Sequence, residues 1–188
     1  LRFFTSHGNC LIIGVDELPE ARLTAKATNL NSLVQLEKDE EIVACFDEVK
    51  GDTLVFFTAL GNAKRTEGKE FDLRTKKTAA IALKDDDRVI AVEKQDATAG
   101  TVIMVSKGGM SIRFATDTVP VMGKGAGGVK CMKLDEGDRV IFAAQIADEG
   151  EILTISDRGY AKRSLVFDYE IQGRNGKGLK TFDFKKNG

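Results

Sequence analysis

An all-β array of propeller-like blades, each of four strands, is the expected architecture, and three observations carry it. First, an apolar strand running into a glycine turn and a basic pair occurs at residues 53–65, 101–113 and 151–163, with a fainter copy at 1–12. The turn glycines Gly8, Gly61, Gly109 and Gly159 recur at a period of about fifty residues, the mark of one repeated supersecondary unit. Second, residues 36–46, 83–92 and 134–144 align as strand, acidic turn, strand. Third, helical periodicity is weak. The best helical candidate, residues 17–33, carries Pro19 and leucines at irregular intervals.

The third copy shows the parts in order. Residues 101–106 form a short β-branched apolar run, suited to a strand buried on both faces. Lys107, Gly108 and Gly109 make the turn, where glycine is free to take positive φ. Residues 110–114 alternate, with Met110, Ile112 and Phe114 on one side and Ser111 and Arg113 on the other. A polar, glycine-rich stretch follows at 115–128, then a strand at 129–134, an acidic turn at 135–138 and a last strand at 139–144. Four such blades are expected, at about 1–48, 49–96, 97–147 and 148–188. The fourth is incomplete, because residues 185–188 stand where the other repeats have their acidic turn. Blades cannot cover their own apolar faces and must stack. Further blades are expected beyond this fragment, whose Leu1 already lies in a strand pattern. The phenylalanines at 56, 57, 114, 142, 167, 182 and 184 read as core.

Composition narrows the function. The formal net charge is −1, so the chain as a whole is no basic polyanion binder. The first hundred residues are net acidic and the remainder net basic, which points to a local cationic stripe. Cys10, Cys45 and Cys131 are scattered, as reduced thiols of a cytoplasmic protein would be. With a single His and no CxxC spacing, no metal site is expected. His7 reads as a surface or turn residue. No apolar run approaches membrane-spanning length. No acid–base pair or activated nucleophile is apparent, so no catalytic residue is assigned, and Tyr160 and Tyr169 read as packing residues.

Two features make the pattern more specific. The turn carries G-x-x-K/R-R, and a glycine and basic cluster precedes the third strand, clearest at residues 172–178 (QGRNGKG). The chain has no Trp, which removes the Gly-His…Trp-Asp propeller repeat. Residues 159–182, together with 17–26, 72–83 and 121–141, resemble the C-terminal domain of the A subunit of bacterial DNA gyrase and of its paralogue topoisomerase IV. The resemblance spans the whole chain. It implies a β-pinwheel, a propeller-like disc whose blades exchange a strand, that binds and bends duplex DNA around its rim for a type IIA topoisomerase. The parent enzyme would use ATP and Mg2+, and its A-subunit core and ATPase B subunit would be the protein partners. This domain would need no cofactor, would have no membrane association and would work in the cytoplasm at the nucleoid. The gyrase hallmark Gln-Arg-Arg-Gly-Gly-x-Gly is matched at Gln172, Arg174, Gly176 and Gly178, with Gly173 and Asn175 departing. Gyrase and topoisomerase IV therefore both stay open.

In a disc of stacked blades, equivalent positions fall on one circumference. Lys64 and Arg65, Arg113, and Lys162 and Arg163 would form an arc of positive charge contacting phosphates without reading bases. Lys76 and Lys77 would add charge in the second repeat, and Lys124, Arg174 and Lys177 would do so from the glycine-rich loops. The acidic turns at 85–87 and 135–138 would lie on another circumference and keep DNA to one track. A propeller scaffold for protein partners, without DNA binding, is the alternative.

Overall fold

The structure is a computed structural model and describes residues 1–84 and 86–187. It is all-β, with antiparallel sheets stacked face to face. β1 (Arg2–Thr5), β2 (Asn9–Ile12) and β3 (Ile42–Phe46) start the first sheet. β4 (Thr53–Thr58), β5 (Asn62–Glu67) and β7 (Val89–Lys94) start the second, and β8 (Thr101–Ser106), β9 (Met110–Ala115) and β11 (Val140–Ile146) the third. The fourth is the hairpin β12 (Glu151–Ile155) and β13 (Ala161–Leu165).

Each of the first three sheets takes its fourth strand from the next repeat. β6 (Lys77–Ala79) adds to β2, β10 (Val129–Lys130) to β5 and β14 (Leu179–Lys180) to β9. The sheet orders are accordingly β3-β1-β2-β6, β10-β5-β4-β7 and β11-β8-β9-β14. β3, β7 and β11 approach one another, and Gln145 on β11 donates to Glu93 and to the Lys94 carbonyl on β7. The sheets therefore converge on that edge, and the exchanged strands occupy the outer one.

Strand exchange explains why the turn residue is glycine. Gly61 has φ +78°, and its carbonyl accepts from the amides of Cys131 and Met132 on the incoming strand. A Cβ there would sit 2.8 Å from the Met132 carbonyl oxygen. Gly109 repeats both features against Phe182, so glycine satisfies dihedral and clearance together.

The apolar runs are continuous because both faces of the middle sheets are covered. Leu54 and Phe56 pack toward the first sheet with Phe4 and Phe71, while Val55 and Phe57 pack toward the third with Met104 and Phe114. Period-2 alternation thus divides one strand between two cores. The hairpin of the fourth sheet has one face covered, which leaves Leu153 and Ile155 exposed. Three of the phenylalanines expected in the core are exposed: Phe142 on β11, Phe167 in the turn after β13 and Phe184 in the last helical turn. Residues 17–33 form no α-helix. Two short 3-10 turns, Val15–Glu17 and Leu30–Ser32, frame a loop whose Leu30 and Leu33 pack near Leu11, Ile13 and Val34. The last strand, β14, ends at Lys180, and a single helical turn follows at Phe184–Asn187. Among the described residues no helix is long and apolar enough to cross a membrane.

Candidate nucleic-acid interface

The acidic turns have a structural role that the sequence pattern did not disclose. In the second sheet the Asp87 carboxylate accepts the Leu60 amide and the Asn62 side chain, closing the β4–β5 turn. In the third, Asp138 accepts Ser106 Oγ and the Gly108 amide. In the first, Glu40 accepts Thr5 Oγ1, Asn9 Nδ2 and the Glu37 amide, and Lys77 Nζ lies 3.6 Å away. Burial opposes ionisation of Glu40, but the Asn9, Glu37 and Thr5 hydrogen bonds outweigh it and hold its pKa down to about 2. These carboxylates cap the hairpins of their own blades. Asp85 lies outside the described residues. Nor are the acidic turns segregated from the expected cationic track, because Asp135 pairs with Lys177 at 2.7 Å.

The in-register basic residues are the main correction. Lys64 has no exposed surface, and its ammonium lies 5.3 Å from the Phe56 ring centroid. Arg113 is 5 % exposed and donates to Thr101 Oγ1 and to the carbonyls of Val166 and Tyr169, with Asp148 as its ionic partner. Arg65 is half-buried and donates from Nε to the Val119 carbonyl at 2.6 Å, and also to Asp117 O and Gln95. Val119 and Tyr169 hold equivalent places in successive repeats, just before the bridges Arg65↔Val121 and Arg113↔Ile171. Each arginine therefore fastens its blade to the connection entering the next exchanged strand. The expected phosphate contacts at Lys64 and Arg113 are replaced by internal ones, because the exchange buries the hairpin where an isolated blade would leave it wet.

The remaining expected contacts divide. Lys162 is exposed, with no ionic partner among the described residues, and Arg163 is exposed and paired with Glu151 at 3.0 Å. Lys76 is paired with Glu17, and Lys77 with Glu37 at 3.2 Å and with Glu40. His7 Nδ1 is 3.4 Å from Glu37, so His7, Glu37 and Glu40 cluster, and Lys77 pairs with both carboxylates there. Lys124 is half-buried: its amide donates to Glu70 Oε2 at 2.9 Å and its Nζ reaches the Glu70 carbonyl. Arg174 donates to the Lys130 carbonyl and lies beside Cys131, whose thiol burial pushes up to about 11.

The box-like residues are largely architectural. The Gln172 amide donates to the Arg113 carbonyl, and the Gly176 carbonyl accepts the Lys133 amide. Gly178 has φ +77°, and a Cβ would sit 2.0 Å from the Ser111 carbonyl oxygen. Gly128 repeats this against Ala63.

Sequence reasoning missed the cations that the exchanged strands carry outward. Lys130 is exposed opposite Asn62, and Lys180 is exposed opposite Met110, the equivalent place one blade on. Neither has a carboxylate partner among the described residues, although Lys130 Nζ donates to the Leu60 carbonyl. Arg174 leans on Lys130, and the exposed Lys133 is tied through its amide to Gly176, so these residues share one stretch of the outer edge. The signal was available in the alternation Val129-Lys130-Cys131, which places Lys130 opposite a buried thiol, and in its echo at Leu179-Lys180-Thr181.

Comparison with known proteins agrees with this geometry. A sequence model of the family described as DNA gyrase C-terminal domain, beta-propeller, matches residues 3–46, 52–96, 100–147 and 150–188. The chain is 37% identical over 182 residues to the A subunit of DNA gyrase from Escherichia coli (strain K12), covering 94% of this chain and 20% of that one. It is 34% identical over 197 residues to the A subunit of DNA gyrase from Haloquadratum walsbyi, covering 100% of this chain and 23% of the relative. The chain thus spans 20–23% of the length of these curated relatives. Among solved structures it superposes on the C-terminal domain of DNA topoisomerase IV with a TM-score of 0.89 at 28% identity, over 95% of this chain and 57% of that one. The E. coli ParC C-terminal domain gives 0.81 at 16% identity over 97% and 76%, a likeness of fold. With the repeat, the strand exchange and the glycine positions already in place, these matches show that the chain belongs to the DNA gyrase C-terminal domain family.

Proposed function

We propose that this chain binds duplex DNA along its outer edge and bends it, as the C-terminal domain of the A chain of a type IIA topoisomerase. The observation that carries the reading is the pair Lys130 and Lys180, free of carboxylates among the described residues and repeated at equivalent places on successive exchanged strands. Cations spaced blade by blade along a curved edge neutralise phosphates on the inside of a bend and carry no base information. Lys133 and Arg174 extend the stretch, and Lys162 lies on the next hairpin. The domain presents a DNA segment to strand passage driven by ATP and Mg2+ in the rest of the enzyme. Its partners are the A-subunit core and the ATPase B subunit, in the cytoplasm at the nucleoid.

The test is the salt dependence of duplex binding. Lys130→Glu with Lys180→Glu removes two phosphate contacts and lowers the slope of log K against log salt by about 2. Affinity also rises with duplex length until the edge is spanned. An unchanged slope, or no binding at any salt concentration, refutes the reading and leaves the propeller scaffold.

A further inference from the structure

Lys64 is buried where its sisters in the first and third repeats, the other two stacked hairpins that bury this place, have apolar residues. Counting three residues from the turn glycines gives Leu11, Lys64, Ile112 and Lys162; the first three face Phe3, Phe56 and Met104 across the hairpin, whereas Lys162 faces Thr154 and is exposed on the last hairpin. Leu11 and Ile112 fill that place with hydrocarbon and are buried. A lysine there carries a desolvation penalty that neither sister has. Its ammonium is also specifically engaged: Nζ donates to the Gly123 carbonyl at 3.0 Å and to the Lys124 carbonyl at 2.9 Å. Those carbonyls belong to the loop at 121–128, which holds four glycines and has the backbone entropy to match. The loop is entered through the Arg65↔Val121 bridge and the Met122 amide, which donates to the Arg65 carbonyl; beyond that the Ala126 amide donates to the same Gly123 carbonyl, the Lys124 amide and Nζ reach Glu70, and the Ala126 carbonyl accepts the Ala82 amide of the neighbouring blade.

We propose that Lys64 is a positioning residue whose ammonium, donating from beneath to two loop carbonyls, holds the 123–128 loop in its place on the outer edge. The charge does this work rather than the hydrocarbon stem, since the sister repeats show that an apolar residue satisfies the packing. The anchor therefore weakens when the ammonium loses its proton, because a neutral amine is the poorer donor. Burial pushes Lys64 down to about 8, with the Glu70 carboxylate acting in the opposite direction. The charged groups around it are Glu70 from the turn Gly68–Phe71 and Lys124 from the loop, and Lys124 in turn acts on the Cys10 thiol on β2. Burial pushes Cys10 up to about 12, so it stays neutral. A change in loop order between pH 7 and 9 thus belongs to Lys64.

Hydrogen exchange by NMR on the whole chain tests this at the Lys124 and Ala126 amides, corrected for intrinsic exchange, with β4 amides as the internal reference. In the wild type, protection at these two amides falls about tenfold or more from pH 7 to pH 9, as hydrogen bonds from a charged donor become neutral ones. In Lys64→Met the same amides are already less protected at pH 7 by a similar factor, and the pH step is gone. Lys64→Leu, the sister residue, behaves as Lys64→Met does. Wild-type protection in Lys64→Met, or a pH step that survives the substitution, overturns the proposal. Should neither variant fold, the wild type decides: the Nζ titration of Lys64 and the loss of loop protection share one midpoint, and separate midpoints overturn the anchor. Duplex affinity falling over the same pH range rests on the DNA-binding reading above. Exchange alone judges the anchor, and wild-type duplex binding judges that reading.

Discussion

Replacing Glu40 by glutamine removes one charge from the cap of the first hairpin and leaves its shape. The Glu40 side chain has no exposed surface, and its carboxylate accepts three hydrogen bonds, from Thr5, Asn9 and the Glu37 amide. Those bonds hold its pKa down to about 2, against an ordinary value of 4.5. A depressed carboxyl stabilises the fold above its unfolded pKa and loses that contribution as pH falls through the folded one. The window therefore runs from about pH 4.5 down to about pH 2. The difference corresponds to roughly 3 kcal/mol at neutral pH. Glutamine also turns an amide donor toward the Glu37 N–H, which adds a repulsive contact in place of a bond. Urea denaturation of wild type and Glu40→Gln at pH 7, 4 and 2.5 reads the effect. The variant is less stable by roughly 3 kcal/mol at pH 7, and the gap narrows steadily toward pH 2.5. A gap that stays constant across that range refutes the reasoning, because it means that the charge contributes nothing and the loss is steric.

Two further substitutions, with Gly137→Ala as a control, test the exchange. Gly178→Ala meets both a left-handed backbone and the Ser111 carbonyl, whereas Gly137 has φ +75° and open space around it. Gly137→Ala costs about 1–2 kcal/mol from the backbone conformation, and Gly178→Ala costs clearly more; equal Tm losses would mean that the close approach is unimportant. Arg113→Met takes its donor from the Tyr169 carbonyl, while the Val166 carbonyl keeps the Tyr169 amide, and destabilises by roughly 2 kcal/mol. The duplex salt slope of the folded Arg113→Met protein stays at the wild-type value, and a slope lowered by about 1 would return Arg113 to the phosphate track.

The repeat, the four hairpins and the all-β class were legible in the chain, because glycine spacing and strand alternation are local signals that survive without tertiary contacts. Gly61 and Gly109 mark turns in any fold that has hairpins there. Even the alternation within β5 held a warning, since Lys64 and Arg65 are neighbours on a strand and must point to opposite faces. What local signals could not supply was the identity of the surface on each side. Both faces of the β4–β5 hairpin are covered, with Leu54 and Phe56 of β4 against the first sheet and Val55, Phe57 and Ala63 against the third, and only the stacking makes them so. The register that put cations at matching places was real, but the strand arriving from the next repeat turned Arg65 and Arg113 into fasteners between blades. The same exchange carried Lys130 and Lys180 outward. Whether a lysine meets water or a carbonyl depends on what packs over it, and that is set by residues some fifty positions away.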